Sequence, residues 1–478
     1  MPQFVRSRTA RNQLKSVLEK ADISLDAFCT RSGLDRDLAR SVVEDDRILP
    51  DTEMLIAAGR AFPSIAVADL FVHDLEDASS TAGDMIGHAG PMQVTICGCG
   101  NLGHVFGGLL ATRQDLIVNI LVSTPERAQE LRSVTDAGIT VTFADRQVTG
   151  TPQLVTADAG QAIPGSDIVI LCLPSFVEEE ILGRVLPHLK DGAYVGAAPA
   201  PGGFDWKAQR ILDQHGRTTT VFGLAAIPWM CKIVTPGQEV RVLGAKSFNA
   251  QVTMPGADSA QVSDLLGHLL QMPVLRLRSF LNMTLNPGNQ LLHPGIMYDM
   301  FAGREGVPIA EPPLFYESIT GSAADRLQRM SDELLQIRVA LEARIDGLQL
   351  SAVLPIGHSI LQAYAEHITD ASSLQAIIRG NRAYAGLRTP MRPVDGGFLL
   401  DENSRFFWED IPHGLVVLRG LADLAGVAVP TIDEVLLWAQ QVMDRVYLVD
   451  GRLDGPDVAS SGAPQCYGIS SLSQLAPE

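Results

Sequence analysis

Three hydrophobic rhythms follow one another along the chain. Over residues 11–71 apolar positions recur at helical spacing, with breaks at Ser32-Gly33, at Leu49-Pro50 and around Pro63. That pattern predicts helices near 12–20, 24–31, 35–43 and 51–61. Residues 93–96, 117–123, 167–174 and 194–199 are instead continuous apolar runs separated by helical stretches. Runs of that kind are strands of a parallel sheet covered on both faces. Residues 219–227, 239–243 and 250–254 read as further strands of the same domain. Past Pro273 the rhythm is helical again. Residues 323–345 form a long amphipathic segment with Leu327, Met330, Leu334, Val339 and Leu341 on overlapping faces, and helices are expected at 351–368, 373–379, 414–425 and 431–446.

These rhythms divide the chain into a small all-helical domain over 1–75, a linker over 76–91, an α/β domain over 92–275 and an all-helical domain over 276–453. The linker and the final stretch, 454–478, are rich in small and polar residues, and the latter is expected to be poorly ordered.

The strand at 93–96 runs directly into Gly98-Cys99-Gly100-Asn101-Leu102-Gly103, after which residues 104–112 read as an apolar helix. In a strand, Gly-x-Gly-x-x-Gly, helix arrangement, Gly98 permits the tight turn, Gly100 lets the backbone approach a pyrophosphate, and Gly103 lets helix and strand pack closely. Asn101 and Leu102 complete the loop, and the helix N-terminus offers free N–H groups to the phosphates. The α/β segment therefore reads as a Rossmann dinucleotide-binding domain. A carboxylate at the end of the second strand would grip a ribose 2′-hydroxyl and repel a 2′-phosphate. This chain has Ser123-Thr124-Pro125-Glu126-Arg127 there. Hydroxyls at Ser123 and Thr124 with Arg127 beyond them favour NADP, with NAD possible. The same residues also suit a helix cap followed by a solvated first turn.

Composition narrows the class. With a net charge of -18 and a pI near 5.0, attraction to nucleic acid or anionic lipid is disfavoured. No long apolar run or signal-peptide pattern is present, so a cytoplasmic enzyme is expected. Six scattered cysteines read as reduced core thiols, and Cys97 and Cys99 lack the companions a metal site needs.

The N-terminal helices resemble the helix-turn-helix module of the lambda-repressor-like (XRE) family through Ile23-Ser24-Leu25, Gly33, Glu44, Pro50 and the Ala-Asp-Leu-Phe close at 68–71. That family docks its third helix in the major groove. Here residues 1–90 carry 10 Lys plus Arg against 15 Asp plus Glu, and Asp35, Asp37, Glu44, Asp45 and Asp46 surround the third helix. Such charges repel phosphate. An interaction or dimerisation module, giving a homodimer, is the favoured expectation over DNA binding.

A helical domain behind a dinucleotide domain is the place to look for substrate chemistry. Two passages there are unusual. In the first, 282–295, Pro294 suits a first helical turn and places His293 at or just before a helix N-terminus. The positive end of the helix would disfavour the charged ring and keep a neutral base, unless the histidine merely caps the helix. In the second, 405–415, charges bracket three aromatics ahead of Ile411-Pro412. Arg405 suits a bidentate grip on a carboxylate and Asp410 a histidine N–H, or else Arg405 forms a local surface pair with Glu409.

Together, the glycine loop, Ile227-Pro228-Trp229-Met230-Cys231-Lys232, Leu285-Asn286 through His293-Pro294, and Trp408-Glu409-Asp410-Ile411-Pro412 through Gly414-Leu415 resemble the octopine/nopaline (opine) dehydrogenases over roughly 92–449. The resemblance implies a Rossmann domain followed by an all-α domain of the 6-phosphogluconate dehydrogenase C-terminal-like type. It also implies a catalytic dyad, here His293 and Asp410, and a carboxylate-binding arginine, here Arg405. Lys232 departs from the arginine common in that family, and the helix-turn-helix is not one of its usual parts. Asn286 and Asn289 are secondary candidates for the substrate or nicotinamide region, or turn-stabilising residues. The activity implied is NADPH-dependent reductive condensation of an amino acid amine with a 2-oxo acid through an imine. The alternatives are an NADP-dependent 2-oxo acid or hydroxyacid reductase and an NADP(H)-sensing DNA-binding regulator.

Overall fold

The computed structural model describes residues 6–50, 54–55, 58, 62, 70–74, 81–87, 90–200, 202–364 and 367–476. The chain divides into two compact units, one of residues 1–200 and 208–280 and the other of residues 201–207 and 281–478.

In the first unit, strand β1 (Ala10–Asn12) pairs antiparallel with β2 (Phe71–His73). Between them lie α1 (Leu14–Lys20), α2 (Leu25–Ser32) and α3 (Arg36–Glu44). Ser24 and Asp35 cap α2 and α3 by accepting from Ala27 and Leu38 N–H, and Gly33 closes α2 in the left-handed region at φ 72°. Residues 54, 55 and 58 are helical. The rest of the fourth expected helix and residues 68–69 of the Ala-Asp-Leu-Phe close lie outside the described residues. Phe28, Leu14, Val42 and Leu55 form a small core that continues onto Leu275, Phe248 and Ala250 of the α/β portion. Asp264 fastens the join, accepting from Ser7 and Thr9 hydroxyls and from Arg8 N–H.

The expected linker contains a short helix, α4 (Ala82–Met85), whose Ala82 and Met85 are buried in the α/β core. That core lies on an eight-stranded sheet. Its six parallel strands are β3 (Met92–Cys97), β4 (Leu116–Leu121), β7 (Leu154–Thr156), β8 (Ile168–Leu171), β9 (Tyr194–Ala197) and β10 (Thr220–Leu224). They lie in the spatial order β7-β4-β3-β8-β9-β10. Numbered by sequence among themselves, this is the doubly wound order 3-2-1-4-5-6, which reverses between β3 and β8. Strands β13 (Asn249–Thr253) and β14 (Val274–Arg276) extend it, β13 antiparallel to β10.

The expected strand at 239–243 forms, but not in this sheet. As β12 (Glu239–Ala245) it joins β11 (Trp229–Thr235), β5 (Ile139–Thr142) and β6 (Gln147–Gly150) in a separate four-stranded sheet. Its alternating burial differs from the continuous burial of β8, which is why a period-two strand sits at a half-exposed layer.

The second unit is built on α10 (Asn289–Phe301) and α11 (Gly321–Arg344), which follow α5 (Asn101–Leu110), α6 (Pro125–Thr135), α7 (Ser175–Val185) and α9 (Ser259–Leu270) of the first unit and α8 (Phe204–His215), whose first four residues belong to the second. Leu327, Met330, Leu334 and Leu341 of α11 are buried, whereas Val339, expected on the same face, is 61% exposed. The helical stripe is narrower than the apolar count implied. Helices α12 (Val416–Ala425) and α13 (Pro430–Val442) complete the core. The stretch expected to be a loose tail is not loose in its described part. It forms three short 3-10 turns, Ala463 and Ser461 are buried, and the Gly462 carbonyl accepts from the Trp206 indole at 3.2 Å. Small and proline-rich residues here follow a core surface too closely for larger side chains to fit: a Cβ on Gly455 would lie 2.0 Å from the Val446 carbonyl oxygen.

Candidate active site

The glycine loop lies at the C-terminal end of β3, beside the point where strand order reverses. Gly98 has φ 101°, and a Cβ on it would lie 2.7 Å from Leu173 Cδ2 and 2.8 Å from the Cys172 carbonyl oxygen, in the turn after β8. A Cβ on Gly103 would lie 2.1 Å from the Gly98 carbonyl oxygen, whereas a Cβ on Gly100 would meet nothing within 4 Å. The outer glycines are thus required by packing, and the middle one faces open space. Gly100 is also the N-cap of α5 and has no side chain to occupy the first-turn N–H groups. A dinucleotide pyrophosphate fits this cradle on both steric and electrostatic grounds.

The remaining loop residues do separate work. Asn101 Oδ1 accepts from Ile233 N–H at 2.9 Å, tying the loop to β11, and Leu102 is buried. His104, absent from the sequence-based site, is fully buried behind the loop. Its Nε2 accepts from Gly237 N–H at 2.8 Å, so the ring proton is on Nδ1, which donates to the Gly100 carbonyl at 2.8 Å. Burial, the Gly100 carbonyl opposing it, keeps the ring pKa below the ordinary value. At the end of β4, Thr124 caps α6 by accepting from Arg127 N–H at 3.2 Å, and the Arg127 guanidinium lies 3.1 Å from Glu130. Ser123 is exposed.

The second unit contains the histidine passage. Helix α10 begins at Asn289, four residues before His293, not at His293 as expected. The Gly288 carbonyl accepts from Leu291 and Leu292 N–H at 3.0 Å each, which starts the helix early. Pro294 is consequently inside it, past the first-turn positions where a missing N–H costs nothing. Burial of Leu291, Leu292, Ile296 and Met297 around that point outweighs the lost hydrogen bond.

This placement brings His293 to Asp410, 117 residues away, with Nδ1 2.7 Å from the carboxylate Oδ2. Both are buried, at 6% and 7% exposure. The Asp410 backbone opens a π-helical turn, Ile411–Leu415, in which Leu415 N–H reaches the Asp410 carbonyl at 2.9 Å. Pro412 has no N–H for the α-helical ladder, so the odd Ile-Pro in the sequence is a mark of this widened turn. On its other side His293 Nε2 lies 2.9 Å from the Tyr316 hydroxyl.

The three aromatics of the second passage part company. Phe406 lies flat on the His293 ring at 3.6 Å and 10°. Phe407 is buried in the core against Trp438, and Trp408 receives the Arg445 guanidinium over its face at 5.1 Å. Sequence reading flagged the cluster but not the individual roles. For Tyr316 the sequence offers no comparable mark, since Leu314-Phe315-Tyr316 looks like an ordinary core segment.

Arg405 is 69% exposed and lies 3.5 Å from Glu409, the local pair that its spacing also allowed. Asn289, the first residue of α10, is exposed. Asn286 helps to shape the preceding turn: its carbonyl accepts from Gln290 Nε2 at 2.6 Å and its Oδ1 from Ser359 at 3.4 Å. Among the described residues no group of three or more His, Cys, Asp or Glu is placed to hold a metal ion.

Comparison with known proteins matches both portions. The family model for the NAD/NADP octopine/nopaline dehydrogenase alpha-helical domain covers residues 276–443, and that for ketopantoate reductase PanE/ApbA covers residues 94–197. Octopine dehydrogenase of Mizuhopecten yessoensis is 35% identical over 395 residues, spanning 80% of this chain and 98% of that protein. Tauropine dehydrogenase of Arabella iricolor is 33% identical over 398 residues, spanning 80% and 99%. A solved octopine dehydrogenase with NADH and L-arginine superposes with a TM-score of 0.74 at 33% identity, covering 81% of this chain and 98% of that one. The chain therefore belongs to the octopine/nopaline (opine) dehydrogenase family and is an NAD(P)-dependent oxidoreductase acting on a secondary amine.

Proposed function

We infer that this opine dehydrogenase joins the amine of an amino acid to a 2-oxo acid such as pyruvate, with His293 and Asp410 as its proton-transfer dyad. The observation that carries the assignment is the 2.7 Å bond between two buried side chains 117 residues apart, in a chain of this family. Asp410 accepts from Nδ1 and fixes the tautomer, so that the neutral ring presents a lone pair on Nε2 and its cation is stabilised when formed. His293 then takes a proton from the incoming ammonium and returns it to the oxygen that leaves as water. General acid–base catalysis of this kind is typically worth about 10²- to 10⁴-fold. When bound, the nicotinamide supplies the hydride that reduces the imine carbon.

Arg405 receives the substrate carboxylate by exchanging Glu409 for it. The Arg405 side chain is 69% exposed, which leaves the guanidinium within reach of substrate, whereas Glu409 is 16% exposed. Asn286 and Asn289 border the same helix start and are secondary substrate contacts.

Gly98, Gly100, Asn101, Leu102 and Gly103 hold the pyrophosphate, and NADPH is the preferred dinucleotide. The support is the hydroxyl pair Ser123 and Thr124 where a carboxylate would repel a 2′-phosphate, with Arg127 one turn away.

The N-terminal helices, read as the helix-turn-helix module, serve interaction and dimerisation in a cytoplasmic homodimer rather than DNA binding. On α3, Arg36 lies 2.6 Å from Asp26 and Arg40 3.2 Å from Asp37, so each cation that would face phosphate has a carboxylate beside it that repels the phosphate. Among the described residues no helix is long and apolar enough to cross a membrane.

The test is oxidation of NADPH and NADH against pyruvate, glyoxylate and 2-oxoglutarate, each with and without a panel of amino acids. Turnover that requires both amine and oxo acid, with NADPH used at the lower concentration, is the expected result. Turnover with oxo acid alone would make the protein a simple reductase, and preference for NADH would overturn the reading of Ser123, Thr124 and Arg127.

A further inference from the structure

The dyad has a third member that the assignment above does not use. With the Nδ1 proton given to Asp410, the neutral His293 ring keeps its lone pair on Nε2, and the Tyr316 hydroxyl 2.9 Å away donates to it. The nitrogen that must exchange protons with substrate is therefore already occupied by a hydroxyl of this chain.

Tyr316 is built as a fixed wall, not as a movable plug. It is 6% exposed, its ring stacks on Tyr384 at 4.2 Å and 21°, and Phe315 meets it edge-on at 4.9 Å. Its backbone carbonyl accepts from Ile319 N–H at 3.3 Å, and the preceding Phe315 N–H donates to the Leu387 carbonyl at 2.7 Å. Phe406 blocks one face of the imidazole. Burial, then the Asp410 charge and Tyr364, push the Tyr316 phenol well above its ordinary pKa, so the hydroxyl remains a donor.

We propose that Tyr316 is a further catalytic residue, whose hydroxyl donates to the oxo-acid oxygen while His293 carries protons to that oxygen. The proposal rests on the dyad reading above. The Tyr316 hydroxyl passes its proton to Nε2 as its oxygen takes one from the ammonium, and the freed amine lone pair forms the C–N bond. The carbonyl π pair moves onto oxygen, where the Tyr316 O–H stabilises the developing negative charge. A second proton passes from nitrogen to that oxygen, and the first is returned to it from Nε2 through the same hydroxyl. The C–O bond then breaks, the remaining nitrogen pair forms C=N, and water leaves. Both protons lost by the ammonium end on the departing oxygen, so the step balances with no added acid and leaves the tyrosine unchanged.

The test is Tyr316→Phe, which keeps the stacked ring and removes only the donor. The turnover number for reductive condensation should fall by about 10²-fold, the scale for losing one donor to a developing oxyanion. Dinucleotide affinity should be unchanged. In the oxidative direction the acid limb of kcat/KM should move to higher pH, because donation to the Nε2 lone pair favours the neutral ring and is lost. Replacing Tyr316 by 3-fluorotyrosine, a stronger donor of nearly the same shape, should move that limb to lower pH. This arm decides the matter if the phenylalanine variant does not fold. Wild-type turnover in Tyr316→Phe, or an acid limb unmoved by fluorination, overturns the role of Tyr316. His293→Ala separates the two readings: loss of its turnover with Tyr316→Phe intact removes the tyrosine alone, and wild-type turnover in His293→Ala removes the dyad and the tyrosine together.

Discussion

Under the proposed function, the Arg405 guanidinium, 69% exposed and 3.5 Å from the 16%-exposed Glu409, receives a substrate carboxylate that offers the same charge with freely adjustable geometry. Replacing Arg405 by Leu should raise KM for the carboxylate substrate by about 10- to 100-fold, the range expected for one lost charge-assisted hydrogen-bonding partner. The dinucleotide constant should not change. Steady-state titration of each substrate checks this, and an unaltered KM would leave Arg405 as a surface residue paired with Glu409. Around His293 a few atoms determine the outcome in the same way. Asp410 sets the tautomer, Phe406 covers one ring face, and Tyr316 faces the reactive nitrogen.

Secondary-structure elements position these residues through their ends. Helix α13 starts after Val429, which has no capping side chain, and its free N–H groups are served from elsewhere. Glu333, buried in α11, accepts from Thr431 N–H at 2.7 Å and from Ile432 N–H at 2.9 Å. A carboxylate at a helix N-terminus satisfies both the orphan donors and the helix dipole. Glu333→Ala should therefore destabilise the second unit by about 2 to 3 kcal/mol, the scale of losing hydrogen bonds to a charged group. Urea unfolding followed by Trp fluorescence measures it. A midpoint equal to wild type would show that solvent replaces the cap. The π turn after Asp410 belongs to this scale as well, since Pro412 widens the helix directly after the aspartate that bonds His293.

On the scale of the whole chain, a net charge of -18 makes acid a gentle titration of repulsion and a loss of specific carboxylate contacts. Asp115 is one such contact. Burial would raise its carboxyl pKa, but hydrogen bonds from Arg113 and Ala82 N–H, the arginine charge and His268 together hold it well below the usual range. Through Ala82 it ties the short α4 helix to the α/β core, with Ala82 N–H at 2.9 Å. Because the folded pKa is depressed, its stabilisation is complete above the unfolded value of about 4 and is lost as pH falls toward the folded one. Asp115→Asn should lower stability at pH 7 and narrow its gap to wild type as pH falls below about 4. Thermal unfolding across that range checks the sign, and a gap that widens in acid would refute it. The N-terminal helices join the same body through Asp264 and Leu275 rather than hanging from a free linker.

Local pattern by itself determined the parallel strands, the long helices and the glycine cradle, because each depends on residues within a few positions of one another. Gly98 and Gly103 are legible for that reason: one turn and one helix start dictate them. The histidine and the aspartate were legible as odd local passages, with a pairing that only resemblance supplied. Tertiary structure alone decided the rest. It placed β12 in a second sheet, started α10 four residues before His293, left Val339 in solvent, and packed the small residues after 453 against the core. It also brought Tyr316 to Nε2 and His104 behind the glycine loop. These are contacts between residues distant in sequence, and their partners are chosen by burial and by the need to satisfy buried polar groups. A linear pattern records which side chains must be buried, but the folded chain settles what each one meets there.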